Sequence, residues 1–205
     1  MRDEEKTKER LIEELRALRG GSVPPLAYEK KFEVESRHLE ADRQRALQEL
    51  DHGMRSAADL QELYRAFARH TLPILRYYRT SILLLEHGRS IVAYLSGDQG
   101  DSGNVTIGST IANEGSSAAW VIEQDEPILR EMNQKDVLSV EDEQMLGSGM
   151  VSCMIVPLRA RGRVIGAWLV SSRRAGAYDR DDLATAQSLA DSLATQIEIH
   201  WLNPE

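Results

Sequence analysis

The sequence is poor in the residues that build disulfides and metal sites. It has a single cysteine, Cys153, and five scattered histidines among 205 residues. One cysteine excludes an intramolecular disulfide and a cysteine-based zinc cluster, and a lone thiol suits a reducing compartment. No two histidines stand three or four residues apart, the spacing that places two imidazoles on one helix face. We therefore expect a cytoplasmic protein without a metal site.

Long apolar runs and an excess of positive charge are also missing. No run approaches the roughly 18–20 apolar residues of a membrane span, so we expect no membrane insertion. The chain carries 25 Lys and Arg against 33 Asp and Glu, a net charge of −8. Nucleic-acid binding needs clustered positive charge, so the chain is not expected to bind nucleic acid. The same acidity disfavours a nucleotide and leaves neutral or cationic ligands open.

The charged residues divide the chain into two parts. Residues 1–56 carry 12 basic and 13 acidic side chains, whereas residues 57–205 carry 13 and 20 and hold most of the aliphatic runs. This contrast predicts a charged helical arm at 1–56 and a folded domain at 57–205. Within the arm we predict an amphipathic helix at 3–19 and a hinge at 20–25, where Gly and Pro residues interrupt the helix.

An apolar stripe crosses the boundary between the two parts. Good helix formers dominate residues 28–77, and a helix of that length would span about 75 Å. Its upstream half must project, fold back or pair with a second copy. We favour pairing, as a coiled coil or helix pair that makes the protein a homodimer; a charged stripe without a partner is the alternative. The predicted interface residues are Leu47, Leu50, Met54, Leu60 and Tyr64.

The domain region alternates short apolar runs with turn residues. Strands are predicted at 81–86, 90–95, 105–107, 128–129, 150–158 and 163–171, with helices at 116–124 and after Asp179, which is placed to cap the last helix. Strands and helices do not alternate strictly, so the order favours an α+β fold with a central antiparallel sheet of five or six strands flanked by helices. Gly166 in mid-strand leaves room for a close neighbour, a packing helix more readily than a ligand.

Several of these segments resemble the GAF domain family. The most specific part runs from Ser152 to Gly166 and includes the sequences SCMIVPL and GRVIG. The resemblance covers residues 57–202 and also includes Ser81–Glu86, Val105–Gly108, Ala119–Val121, Glu126–Ile128, Tyr178 and Asp182. It implies a central antiparallel sheet, a small-molecule pocket on one face of the sheet, and dimerisation through the terminal helices.

A pocket in such a domain is expected between the sheet and the irregular segment at 105–149. Its candidate lining residues are the hydroxyl donors Ser109 and Thr110, the aromatic wall Trp120, and Cys153 and Trp168 on the paired strands. Each apolar candidate has core packing as its alternative role. The residues point to no particular cofactor, and the lack of a Cys-His pair disfavours the covalent chromophore attachment of the bilin-binding relatives.

The resemblance implies a non-catalytic sensory protein that binds an unidentified small molecule and signals through its helices to a downstream partner protein. A ligand-free GAF fold that serves for dimerisation or scaffolding is the first alternative. A redox enzyme related to the free methionine sulfoxide reductases is the second, but one cysteine cannot form their disulfide couple. Cys153 lies in an apolar run with no basic neighbour in sequence, so we expect it in the core.

Overall fold

A computed structural model of the protein describes residues 44–97, 106–111, 115–133 and 140–202. The predicted helix at 3–19 and the hinge at 20–25 lie outside these ranges. The described helices are α1 (residues 44–55), α2 (Leu60–Leu75), α3 (Ser117–Gln124), α4 (Val140–Gly147) and α5 (Arg180–Leu202). The strands are β1 (Arg79–Glu86), β2 (Arg89–Ser96), β3 (Thr110–Ile111), β4 (Ile128–Glu131), β5 (Ser152–Ala160) and β6 (Arg163–Ser172).

The six strands form one antiparallel sheet in the order β3-β2-β1-β6-β5-β4. The predicted α+β fold class is therefore confirmed. The strand predicted at 105–107 was wrong. Residues 106–108 belong to a turn, and β3 begins at Thr110. Helix α4 lies between the predicted strands at 128–129 and 150–158, where the sequence predicted no regular element. The predicted cap is present, because the Asp179 carboxylate accepts hydrogen bonds from the backbone N–H groups of Asp181 and Asp182.

One face of the sheet, here called the α5 face, is covered by α2 and α5. Its core centres on Trp168 of β6, which meets Phe67 of α2 edge-on at 4.7 Å between ring centroids. The Trp168 indole N–H donates to Thr80 Oγ1 at 2.7 Å, so the buried indole keeps a hydrogen bond. Because β1 and β6 are antiparallel, α2 ends and α5 begins at the same end of the sheet, and the two helices run in opposite directions.

The apolar stripe of the sequence belongs to two helices and not to one. Asp59 caps α2 by accepting from the Glu62 backbone N–H at 2.7 Å, and residues 56–59 are not helical. Helix α1 folds back on α2, because a Cβ placed on Gly53 would lie 3.2 Å from the His70 ring and 3.5 Å from the Ala66 side chain. Folding back was one of the three alternatives for this segment, and for residues 44–55 it replaces the favoured pairing with a second copy.

This hairpin changes the role of the predicted dimer residues. Leu50, Met54 and Tyr64 belong to the core on the α5 face, and Leu60 packs against that core. Leu50 is 2% exposed, whereas Leu47 is 39% exposed. Packing within one chain therefore already covers three of the five side chains, and only Leu47 presents a substantial apolar surface. The interface predicted at these residues needs correction, while dimerisation through other surfaces stays a prediction.

We expect Leu50→Ala to lower the free energy of unfolding by about 2–4 kcal/mol, because it leaves a cavity between α1 and the α5-face core. The matched substitution Leu47→Ala should change it by less than about 1 kcal/mol, because that side chain is largely in water. Denaturant unfolding of the full chain at several protein concentrations measures both. Equal losses in the two variants would contradict the hairpin packing.

Gly166 has a close neighbour, but the neighbour is a strand. A Cβ at this position would lie 2.0 Å from the carbonyl oxygen of Leu83 in β1. The sequence predicted a helix or a ligand here, and the structure corrects this to the backbone of the adjacent strand. β1 and β6 are central strands, so the contact lies in the middle of the sheet.

Gly166→Ala is expected to destabilise the domain by several kcal/mol, because a backbone atom cannot move aside as a flexible side chain can. Gly147→Ala in α4 is the control: a Cβ there meets nothing within 4 Å, and alanine favours helix by up to about 1 kcal/mol. Thermal unfolding monitored by circular dichroism distinguishes them. A Gly166→Ala protein as stable as the Gly147→Ala protein would refute the close approach.

Candidate functional site

The opposite face of the sheet, here called the α3 face, has a shorter cover. Two rows of side chains that cross the sheet on this face are mostly apolar, and they pack beneath Ala118 and Val121 of α3. The buried members of this second core are Leu83, Val92, Ala118, Val121, Ile155, Ala167 and Leu169. Helix α3 has only eight residues, against 16 for α2 and 23 for α5. Because α3 is short, it does not cover the whole α3 face, and other side chains lie over one end of that face.

A third row on the α3 face is polar. The strand register places Arg130 of β4 opposite Cys153 of β5, Cys153 opposite Ser171 of β6, and Ser171 opposite Arg79 of β1. Opposed residues of an antiparallel pair point to the same face, so these four side chains form one line across four strands. Cys153 is 2% exposed and Ser171 is also buried, so the middle of the polar row is closed off from solvent.

Arg130 connects this row to both helices above it. Its Nη1 donates to Ser117 Oγ at the start of α3 at 2.6 Å and to Asp142 Oδ1 of α4 at 3.2 Å. Its Nη2 lies 3.5 Å from Asp142 Oδ2, so the guanidinium faces both carboxylate oxygens. The Asp142 side chain is 3% exposed and that of Arg130 is 18% exposed. A largely buried ion pair therefore fixes α4 and the first turn of α3 over the polar row.

A second arginine holds the other end of α3. Asp125 follows α3 with φ of 56°, and the Arg159 side chain from β5 donates both to its carboxylate and to its backbone carbonyl. A cation at a helix C-terminus also interacts favourably with the helix dipole. Both groups of this pair are partly exposed. Helix α3 is thus attached to the sheet at each end by an arginine from a different strand.

The structure separates the two predicted lining residues Cys153 and Trp168. The β5–β6 hairpin pairs Ala160 with Arg163, and this register extended without a break would pair Ile155 with Trp168. A bulge between Leu158 and Arg159 shifts the register by one residue, so Val156 pairs with Trp168 instead. A shift of one residue moves a side chain to the other face. Trp168 therefore lies on the α5 face and Cys153 on the α3 face.

The other three predicted residues lie away from the polar row. Ser109 and Thr110 are at the β3 edge of the sheet, the edge opposite β4, and the Ser109 hydroxyl contacts Thr106 within a turn. Trp120 is on α3 but is exposed, since Ala118 and Val121 form the inward side of that helix. Of the five predicted lining residues, only Cys153 belongs to the row. Four residues of this region were not predicted from the sequence: Arg130, Ser171, Arg79 and Asp142.

Among the described ranges, no three His, Cys, Asp or Glu residues are placed to hold a metal ion. Burial raises the pKa of Tyr64, Tyr77 and Tyr178 well above the ordinary tyrosine value, so these phenols stay neutral near pH 7.

None of the helices that the structure describes has the length and apolar character of a membrane span.

We expect a double-mutant cycle on Arg130 and Asp142 to give a coupling free energy of about 2 kcal/mol or more, because removing the arginine alone leaves a buried carboxylate without this cation. The matched cycle on Arg159 and Asp125 should give less than about 1 kcal/mol, because water screens that pair. Denaturant unfolding of the Arg130→Met, Asp142→Leu and double variants supplies the first cycle. Equal coupling in the two cycles would contradict the buried contact.

Comparison with known proteins agrees with this architecture. No curated protein is significantly similar to the chain. The GAF domain of a two-component sensor histidine kinase from Bacillus halodurans has a TM-score of 0.63 at 24% identity and covers 71% of this chain and 98% of its own. The GAF domain of a phosphoenolpyruvate-protein phosphotransferase from Coxiella burnetii has a TM-score of 0.65 at 14% identity, with 78% and 95% covered.

A third similar structure is an enzyme. The type II free methionine-R-sulfoxide reductase from Thermoplasma acidophilum has a TM-score of 0.53 at 19% identity and covers 73% of this chain and 96% of its own. At these identities the three likenesses establish the fold alone. The sequence profile of the GAF domain matches residues 59–197, more than half of the chain. With this match and the six-stranded sheet between its two sets of helices, the chain belongs to the GAF domain family.

Proposed function

We propose that this chain is a non-catalytic sensory or regulatory protein that binds a small molecule on the α3 face and signals to a partner protein as a homodimer. The observation that carries the proposal is the polar row of Arg130, Cys153, Ser171 and Arg79 beneath a short helix. A few polar groups beside apolar walls are typical of small-molecule sites. A sensory role also fits two structural neighbours, domains of a sensor histidine kinase and of a methyl-accepting chemotaxis protein.

The helix α5 supports the signalling part of the proposal. Arg161 and Arg163 in the β5–β6 hairpin contact the Glu198 carboxylate of α5 at 2.9 and 3.6 Å. β5 carries Cys153 near one end and this hairpin at the other. A displacement of β5 by a ligand would therefore reach the last turns of α5, where a partner protein can detect it.

An exposed stripe on α5 supports the homodimer. It consists of Ser188, Ser192, Thr195, Ile199 and Leu202. These residues follow steps of four and three, the spacing of a helix–helix seam, and all five are exposed. The small residues would let a second helix approach closely, and the two large apolar residues would be covered by it. This stripe replaces the one on α1 and α2 as the proposed interface.

A ligand-free scaffold is the second candidate, because Cys153 and Ser171 in the middle of the polar row are buried. A redox enzyme has less support, although a methionine sulfoxide reductase shares the fold. Its substrate would have to reach a buried thiol, and the single cysteine would need a second thiol from a partner. The free thiol fits the reducing cytoplasm that the sequence predicts.

We expect native mass spectrometry of the full chain, purified from its source organism, to show a dimer with one small molecule bound to each protomer. Collisional activation at low energy should release the small molecule, so that its mass can be measured. The matched variant Leu202→Asp should give monomers that keep the small molecule, because the stripe and the α3 face are on different elements. A stable dimer without any added mass would favour the scaffold over the sensor.

A further inference from the structure

We propose that the small molecule carries a carboxylate and that Arg130 is the residue that recognises it, by exchanging the carboxylate of Asp142 for that of the ligand. This inference rests on the proposed function, namely that the α3 face binds a small molecule. It goes beyond that function by assigning the chemical class of the ligand and the residue that selects it.

The first support is the unequal exposure of the ion pair. The Arg130 side chain keeps 18% of its surface in contact with solvent, whereas Asp142 keeps 3%. A ligand at this face can therefore reach the Arg130 side chain more readily than the Asp142 side chain. A group that binds the guanidinium has to accept hydrogen bonds and preferably carry negative charge.

The second support is the geometry of the contact. Nη1 and Nη2 of Arg130 face the two oxygens of Asp142 at 3.2 and 3.5 Å. Arginine commonly binds carboxylates in such a two-pronged arrangement, here end-on through Nη1 and Nη2. The position beside Arg130 is thus already shaped for a carboxylate, and a ligand carboxylate can reproduce both contacts. The two distances are longer than the 2.7–2.9 Å typical of charge-assisted hydrogen bonds, so a ligand carboxylate at that position can make shorter contacts than Asp142 does.

The third support is the charge of the polar row itself. The row contains two arginines, Arg130 and Arg79, a thiol and a hydroxyl, and none of its four members is acidic. The net charge of −8 argues against an anionic ligand at long range. At physiological salt, however, charges are screened over about 8 Å. For a group that takes the place of Asp142 against Arg130, this one cation outweighs the distant acids, which reverses the preference inferred from composition.

The exchange predicts opposite effects of two substitutions. Asp142 competes with the ligand for the same guanidinium, so weakening this competitor should tighten ligand binding. Removing the arginine should weaken binding. A role of the pair in stability alone would not produce this opposite response, because loss of either partner would then disturb the site in the same direction.

The test uses the full chain and a panel of short-chain mono- and dicarboxylic acids, succinate and glutarate among them, each with its neutral amide. Calorimetry gives affinities at physiological salt, and amide chemical shifts map the bound position. We expect carboxylates to bind and to shift the β4 and α4 resonances.

The Arg130→Gln variant should bind the acids about tenfold to a hundredfold more weakly, and the Arg130→Lys variant should lose less affinity. The Asp142→Asn variant should bind them severalfold more tightly. Arg55→Gln, at an exposed pair on α1, should change nothing.

Each alternative outcome identifies which statement is wrong. If the neutral amides bind on the α3 face as tightly as the acids, the carboxylate assignment is wrong, whereas small-molecule binding at this face still holds. Carboxylate binding that Arg130→Gln and Arg55→Gln weaken equally would be non-specific and would overturn the role of Arg130. If no acid of the panel binds with an affinity that depends on Arg130, the inference fails, whereas the proposed function fails only if the source-purified protein is empty.

Discussion

Strands β5 and β6 are buried on both sides, so both faces of the sheet must be covered. Side chains of β5 alternate between the two cores, with Met154 and Val156 on the α5 face and Ile155 on the α3 face. The long helices α2 and α5 cover the first face, joined by α1. Among the described residues, the second face is covered by the short α3 and the segment around α4. Both faces thus carry a core, and the candidate site lies on the face whose described cover is shorter.

The ends of α3 show how the thinner cover is held. Its inward side contributes few apolar residues, so a substantial part of its attachment comes from arginines that reach up from the sheet. Arg130 acts on the first turn through Ser117 and on α4 through Asp142, and Arg159 acts on the last turn through Asp125. Directional contacts of this kind can exchange partners without rebuilding a core. This property makes the α3 face suitable for a ligand-dependent change.

The sequence predicted the fold well and the site poorly, for physical reasons. Apolar runs and the Asp179 cap are local signals, and they located most of the elements. The apolar steps of three and four continue across residues 56–59, so periodicity alone could not show that the helix folds back there. The bulge at Leu158 and Arg159 changes which face Trp168 occupies, and no local signal marks it. Arg130 was missed because its partners Ser117, Asp142 and Cys153 are far away in sequence.

The proposed function requires that the α3 face, beside the polar row, hold a small molecule. A crystal structure of the full chain purified from its source organism, solved without added ligand, would reveal such a molecule. We expect electron density for it between α3, α4 and the sheet, in contact with the Arg130 guanidinium. A face filled by the protein's own side chains, with Arg130 still held by Asp142 and no such density, would contradict it.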